Sequence, residues 1–351
     1  MKILPNNSSL IYSGRIDWSD PFAIVWTYPG TFVKIKFKGT QLSIHVRNKH
    51  NYWNNYLGVV EGDSQTKLLL PEEGDAMIEI PLQTTQDNIH EVTIFKRQDA
   101  CHELMILGFE INCNTDDECE LLEASPLPPR RIEVYGDSVS AGEVSEAIDY
   151  VAKADPEHNG EYSNSWYSYA WIAARKLDAQ LHDIAQGGIA LLDNTGWYHE
   201  PDYIGMEQVW NKMRYNPDYG TVKEWDFSKY TPDIVIVAIG QNDSHPDDYM
   251  KTDYECEKAK NWRTHYRQFL AKLRETYPDA WIICCTTLLQ HDISWDMSID
   301  QAVLDIADKK ISHCVFQRNG KATPGHLRIP EAEEMAEELC HYIHSLNIEG
   351  Y

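Results

Sequence analysis

The chain has 351 residues, 42% of them hydrophobic, and a formal charge of −24 at pH 7. That length favours two domains. The charge argues against nucleic acid and anionic membranes as partners, since this surface would repel both, whereas a neutral polysaccharide is compatible with it. The start, Met1-Lys2-Ile3-Leu4-Pro5-Asn6, lacks the apolar run of roughly 7–15 residues found in secretory signals, and no segment reaches the roughly 18 apolar residues of a membrane span. The expectation is a cytoplasmic protein; a secreted mature form is also compatible. The 8 cysteines have no metal-ligand or redox spacing and read as free thiols, with a Cys101–Cys113 disulfide as the alternative.

Up to about Leu122, short β-rich runs alternate with turn signals: Phe32–Phe37, then Lys38-Gly39-Thr40, then Leu42–Val46, followed by Leu57–Val60, Ala76–Ile80, His90–Phe95 and Glu103–Ile111. Even spacing of this kind predicts an antiparallel β-sandwich, jelly-roll-like, over residues 1–125. A stiff Pro-rich connection, Ala124-Ser125-Pro126-Leu127-Pro128-Pro129-Arg130, then closes the domain. From Arg131 the pattern changes to unalternated apolar runs separated by helical segments, which predicts a parallel sheet covered on both faces, an α/β domain over 131–351. Its predicted strands are Ile132–Tyr135, Gln180–Ala185, Ile234–Ile239, Trp281–Thr286 and His313–Phe316. Helices are predicted over Trp166–Leu177, Asp253–Tyr277, Ser298–Lys309 and Pro330–His344, the last with Pro and glutamates in its first turn.

Open sheets of this type place ligands beyond the carboxyl ends of their strands. Ser138 in Gly136-Asp137-Ser138-Val139, Gly188 in Gln186-Gly187-Gly188, Asn242 in Gly240-Gln241-Asn242-Asp243 and His326 in Thr323-Pro324-Gly325-His326 all follow such ends. A serine becomes a nucleophile when a neutral histidine takes its proton, so Ser138 and His326 are the candidate catalytic pair. The oxyanion of acyl transfer needs preorganised donors, for which the N–H of Ser138, an N–H at Gly188 or Gly187, and the Asn242 side-chain amide are candidates. No Gly-x-Ser-x-Gly elbow, His-Glu-x-x-His motif or phosphate-binding glycine loop is present, so lipase-type, zinc and nucleotide chemistry lack an anchor. No metal and no organic cofactor is implied.

These four blocks resemble the SGNH (GDSL-like) hydrolase superfamily, which implies a three-layer α/β/α catalytic domain. The Tyr12-Ser13-Gly14-Arg15-Ile16 segment and the sandwich ahead of that domain resemble carbohydrate esterase family 2, whose members deacetylate plant polysaccharides. The resemblance covers essentially the whole chain. It implies Ser138 as nucleophile, His326 as base, and Ser138, Gly188 and Asn242 as the oxyanion hole. One position departs from the superfamily pattern: three residues before the histidine, where an aspartate is usual, stands Thr323. A backbone carbonyl is the leading expectation for the partner of the His326 Nδ1–H, and a side chain from elsewhere the second. Glu331 and Glu333 read as helix-start residues. For sugar contacts, Trp295 and His291 follow the fourth strand, and Trp53 lies in the polar, aromatic stretch Asn51–Tyr56 of the N-terminal domain.

The function expected from all of this is removal of O-acetyl groups from hemicellulose-derived mannan or xylan fragments, so the expected partner is an acetylated oligosaccharide; a homo-oligomer is compatible. The alternatives are an SGNH esterase or thioesterase on another small acyl ester, and a catalytically impaired carbohydrate-binding protein.

Overall fold

Alternation of apolar and polar residues dominates the first 120 residues, and the computed structural model, which describes residues 1–85, 87–113 and 119–351, turns it into antiparallel sheet. The chain divides into two units, Met1–Leu127 with Asn159–Glu161, and Pro128–His158 with Tyr162–Tyr351. The described strands of the first unit are β1 (Lys2–Ile3), β2 (Ile11–Ser13), β3 (Ile16–Asp17), β4 (Ile24–Trp26), β5 (Phe32–Lys38), β6 (Gln41–Lys49), β7 (Tyr56–Glu61), β8 (Ser64–Leu69), β9 (Glu73–Ile80), β10 (Ile89–Lys96), β11 (Glu103–Asn112) and β12 (Glu120–Leu122). They form two sheets, β3-β4-β11-β6-β9 with β1 on β11, and β12-β5-β10-β7-β8 with β2 on β5.

Period-two patterning explains why the sheets face one another. In β6, Leu42, Ile44 and Val46 are buried while Ser43 and His45 are less so; in β5, Val33, Ile35 and Phe37 point inward. Both sets join one apolar core with Val92, Ile94, Leu104 and Ile106, as expected of packed sheets with alternating inner faces. The cysteine expectation needs correction in this unit. Cys113 and Cys119 are disulfide-bonded with Cα atoms 5.6 Å apart, which brings them within the reach a disulfide requires. Cys101, the expected alternative partner of Cys113, is buried and free. The acidic residues between the bonded pair lie outside the described residues.

The second unit is built on β13 (Arg130–Gly136), β14 (Ala179–Ala185), β17 (Ile234–Ala238), β18 (Trp281–Cys285) and β19 (Ile311–His313), all parallel, in the order β14-β13-β17-β18-β19; β15 (Lys212–Arg214) and β16 (Lys223–Glu224) form a separate pair. Its helices are α1 (Ser138–Ala141), α2 (Tyr169–Lys176), α3 (Met206–Val209), α4 (Tyr249–Thr252), α5 (Glu257–Thr276), α6 (Ile293–Ile306) and α7 (Ile329–Ser345). Strand order reverses at β13, between β14 and β17, and a doubly wound sheet opens its ligand crevice at that switch. The register brings Gly136 level with Ala185 on one side and Ala238 on the other. Ser138, Gly188 and Asn242 thus leave the sheet at the same end.

Several predicted elements shift, and the helices expected from Trp166 and Asp253 begin at Tyr169 and Glu257. The last strand ends at His313 rather than Phe316. The helix expected from Ser298 begins at Ile293, because the Asp292 side chain caps it by accepting the Ser294 N–H at 3.0 Å, and the buried Trp295, Ile299 and Ala302 form its inner stripe.

Candidate active site

Ser138 opens the short helix α1, with Asp137 as its N-cap: the Asp137 Oδ1 accepts the Val139 N–H at 2.9 Å. The tight exit from β13 depends on Gly136, where an added Cβ would stand 2.1 Å from Ser140 Oγ. Asp137 is buried, and burial raises its pKa to about 6, against the opposing pull of the hydrogen bonds from Val139 and Gln241. Its Oδ2 accepts from Gln241 Nε2 at 2.8 Å and Asn242 Nδ2 at 3.3 Å, and Asn242 Nδ2 also donates to the Ile189 carbonyl at 3.0 Å. One side-chain amide therefore bridges the residue before Ser138 and the residue after Gly188. Asp243 serves that loop from beneath: its carboxylate accepts the Leu191 and Leu192 N–H groups at 2.8 and 3.1 Å. Gly188 has φ +72°, a left-handed backbone in which a Cβ would also meet Trp197 Cβ at 2.8 Å.

His326 Nε2 lies 2.8 Å from Ser138 Oγ. Its Nδ1 meets Asp155 Oδ2 at 2.6 Å, and its backbone N–H donates to Asp155 Oδ1 at 2.9 Å. The expectation of a backbone carbonyl on Nδ1 is therefore corrected: a carboxylate from the irregular segment between β13 and β14 fills that place. The segment is held tightly. Arg328, fully buried, pairs with Asp155 Oδ1 at 2.9 Å and also donates to the His326 carbonyl. Glu331 accepts the Ala152 N–H at 2.8 Å and the Arg328 N–H at 2.8 Å, so it ties this segment to α7 as well as capping the helix. Gly325 leaves room for the approach, since a Cβ there would stand 2.5 Å from Asp155 Oδ1 and 2.7 Å from the Lys153 carbonyl. Thr323, in the place of the usual acid, is buried and accepts the Gly325 N–H through Oγ1 at 3.3 Å.

Burial alone would lower the His326 pKa, but the Glu143, Asp155 and Asp137 carboxylates outweigh it and raise the value to about 9. Asp155 shows the reciprocal effect: burial pushes its pKa up, but the hydrogen bonds and charge of His326, with Arg328 behind, bring it down to about 2. The arrangement is a nucleophile, a base and an orienting acid in hydrogen-bonded series, the geometry of acyl transfer.

Two expected sugar contacts are not available. Trp295 is fully buried, donates Nε1–H to Asp248 at 3.1 Å and packs edge-on against Trp262 and Tyr249. His291 is 3% exposed, with Nδ1 on the Leu289 carbonyl at 2.6 Å and Nε2 on Asp296 at 3.0 Å. Trp53 lies half-buried in the first unit. An aromatic that sequence reasoning missed stands beside the site instead. Trp197 is 58% exposed, donates its backbone N–H to the Gly188 carbonyl at 2.8 Å and stacks on His245. Beyond His245 a cavity of about 260 Å³ is lined by Asn194, Thr195, Asp247, Lys258 and Asn261. A large exposed aromatic in a glycine-containing loop after a strand end was the signal available. Among the described residues one group, Asp99, Cys101 and His102 in the first unit, has metal-ligand proximity. It is closed on itself, with Cys101 donating to Asp99 at 2.7 Å and His102 Nδ1 accepting the Asn51 N–H at 3.1 Å.

Residues 12–117 match the family described as Carbohydrate esterase 2 N-terminal. Over 345 residues, 95% of this chain, the sequence is 30% identical to the Cellulase/esterase CelE of Acetivibrio thermocellus, 39% of which is covered. It is 32% identical over 164 residues, 47% of this chain, to the Acetylxylan esterase / glucomannan deacetylase of Cellvibrio japonicus, 41% of which is covered. The chain thus spans about two fifths of the length of these curated relatives. A solved family two carbohydrate esterase from Clostridium thermocellum, in complex with cellohexaose, shares the fold with a TM-score of 0.78 at 24% identity, over 96% of this chain and 98% of that one. The first unit thus matches the N-terminal model of carbohydrate esterase family 2, and the chain as a whole shares its fold with a solved family two carbohydrate esterase.

Proposed function

We propose that the protein is a serine esterase that removes O-acetyl groups from mannan- or xylan-derived oligosaccharides through an acetyl-enzyme. The observation that carries this reading is the series Ser138 Oγ, His326 Nε2, His326 Nδ1, Asp155 Oδ2, with contacts of 2.8 and 2.6 Å. Ser138 Oγ attacks the acetyl carbonyl while His326 Nε2 takes its proton, and Asp155 stabilises the imidazolium. The oxyanion is met by the N–H groups of Ser138 and Gly188, and by Asn242 Nδ2 when it gives up its longer bond, the 3.3 Å contact to Asp137. His326 returns its proton to the sugar oxygen, which leaves; His326 next deprotonates a water, the water attacks the acetyl-enzyme, and acetate departs as Ser138 regains its proton. No step calls for a metal or an organic cofactor. The names of the relatives, a cellulase/esterase and an acetylxylan esterase / glucomannan deacetylase, favour a carbohydrate ester over other acyl groups. Trp197 supplies an exposed aromatic face of the kind that stacks on a pyranose, beside the oxyanion loop. Trp53 is the corresponding candidate of the first unit.

The test is acetate release from acetylated mannan and xylan oligosaccharides. The wild-type protein should release acetate, and Ser138→Ala should lose about 10⁴–10⁶ in kcat. Release that survives in Ser138→Ala would overturn the mechanism. Cleavage of phenyl acetate without either oligosaccharide would keep the serine chemistry and remove the sugar assignment.

A further inference from the structure

Beside the catalytic series stands a carboxylate that the mechanism above does not use. Glu143 Oε2 lies 3.8 Å from His326 Nε2, on the nitrogen that faces Ser138, and its side chain is 21% exposed. The backbone around it is unusual. Gly142 has φ +74° and Val144 has φ +55°, so Glu143 sits between two left-handed residues. For a buried β-branched residue such as Val144 that conformation is strained, and strain of this kind persists only where the surroundings impose it. Here they do: Glu143 N–H donates to the Ser138 carbonyl at 3.0 Å, Val144 N–H to Ser163 Oγ at 3.3 Å, and Ser145 Oγ to the Asn164 carbonyl at 3.1 Å. A Cβ at Gly142 would stand 2.4 Å from the Asn164 carbonyl oxygen. The loop is thus fixed to the nucleophile's own helix.

We propose that Glu143 is a specificity-determining residue of this site, accepting a hydrogen bond from the sugar hydroxyl next to the ester and turning away anionic alcohols. The proposal rests on the serine-esterase reading. To be protonated, the leaving oxygen must come within about 3 Å of His326 Nε2. With Glu143 Oε2 at 3.8 Å from the same nitrogen, the carboxylate is within reach of a hydroxyl on the sugar carbon next to the leaving oxygen. An ionised carboxylate accepts such a hydrogen bond strongly and repels a negative charge placed there. The same charge stabilises the imidazolium, together with Asp155 and Asp137; the Arg328 guanidinium, on the far side of Asp155, is the cation of the cluster.

The test compares kcat/KM on three esters: an acetylated xylo-oligosaccharide, phenyl acetate, and the anionic 4-acetoxybenzoate. Ratios between substrates on one enzyme cancel any change in the folded fraction and in the fraction of enzyme whose His326 is neutral. Glu143→Ala should lower the oligosaccharide to phenyl acetate ratio at least about tenfold, as expected for loss of a hydrogen bond to a charged acceptor. The 4-acetoxybenzoate to phenyl acetate ratio should rise several-fold at low ionic strength. Glu143→Gln, which keeps a neutral acceptor, should recover part of the first ratio but none of the repulsion. An active enzyme whose oligosaccharide ratio is the same in Glu143→Ala as in wild type overturns the proposal alone. Failure of the wild type to cleave any of the three in a Ser138-dependent way overturns the esterase reading first, and the proposal with it.

Discussion

The turn ahead of α7 and the loop after β18 each hold a histidine against an aspartate, and their surroundings are opposite. His326 spends Nδ1 on Asp155 at 2.6 Å and turns Nε2 to Ser138 at 2.8 Å, with its side chain 20% exposed. His291 has both nitrogens taken by protein partners, Nδ1 by the Leu289 carbonyl and Nε2 by Asp296 and the Asn319 amide, and is 3% exposed. Asp296 is further committed to the Thr286 hydroxyl, which donates at 2.5 Å. A histidine and a carboxylate in contact are thus not enough for proton transfer. The pair becomes a catalytic base only where the second nitrogen is left for a reacting group that solvent and substrate can reach.

Three experiments sharpen that contrast. The largest effect belongs to Asp155→Asn, which should cut kcat on phenyl acetate by about 10⁴, because an amide opposite Nδ1 favours the wrong tautomer. A loss below about tenfold would mean that something other than Asp155 orients the base, and the distinction between the two pairs would fail.

Next comes pH. As base, His326 must be neutral, and its pKa is raised to about 9 by Glu143, Asp155 and Asp137 against the opposing effect of burial. The rate constant kcat/KM should therefore climb about tenfold per pH unit below that value and level off above it. An acid limb centred at or below the ordinary 6.5 would contradict the site's electrostatics. Stability runs the other way. A folded pKa above the unfolded value means that His326 contributes fully below about pH 6.5 and loses that contribution as pH rises through about 9. Asp155, lowered to about 2, contributes above the unfolded value of about 4 and loses it as pH falls through about 2. The pair holds the fold best between those limits, somewhat below the pH at which it works best, and urea midpoints across the range would show the offset.

The smallest catalytic effect is expected from Asp296→Asn, within a few-fold of wild-type kcat. Its cost should fall on stability, because a buried acceptor shared by Thr286 and His291 is changed; a loss of about 1–3 kcal/mol would lower Tm by several degrees. A large drop in kcat with Tm intact would make the His291 pair functional after all.

Ser138, Gly188, Asn242 and His326 were legible because each follows a buried apolar run in a short loop, and a parallel sheet brings such loops to one end whatever lies between them in sequence. Asp155 carried no such sign. It sits among the charged residues Lys153, Asp155 and Glu157 in a segment without strand or helix, 171 positions from its partner, and nothing local separates it from the other acidic residues. Trp295 misled for a different reason. With the helix expected from Ser298 it reads as a loop residue, whereas the cap at Asp292 starts α6 a turn earlier and rotates Trp295 onto the stripe of Ile299 and Ala302. The sandwich was readable strand by strand from its period-two pattern, but the Cys113–Cys119 bond was not, since spacing alone does not select a pairing.

Gly325 reaches further than its size suggests. Its missing side chain is the clearance that lets the acid close on the base, with Asp155 Oδ1 and the Lys153 carbonyl both inside the volume one methyl group would occupy. Alanine there would press on Asp155, and through the bond from the His326 N–H on the base as well, loosening the acid's place in the series. A single carbon atom outside the series is thus enough to disturb how closely the acid approaches the histidine.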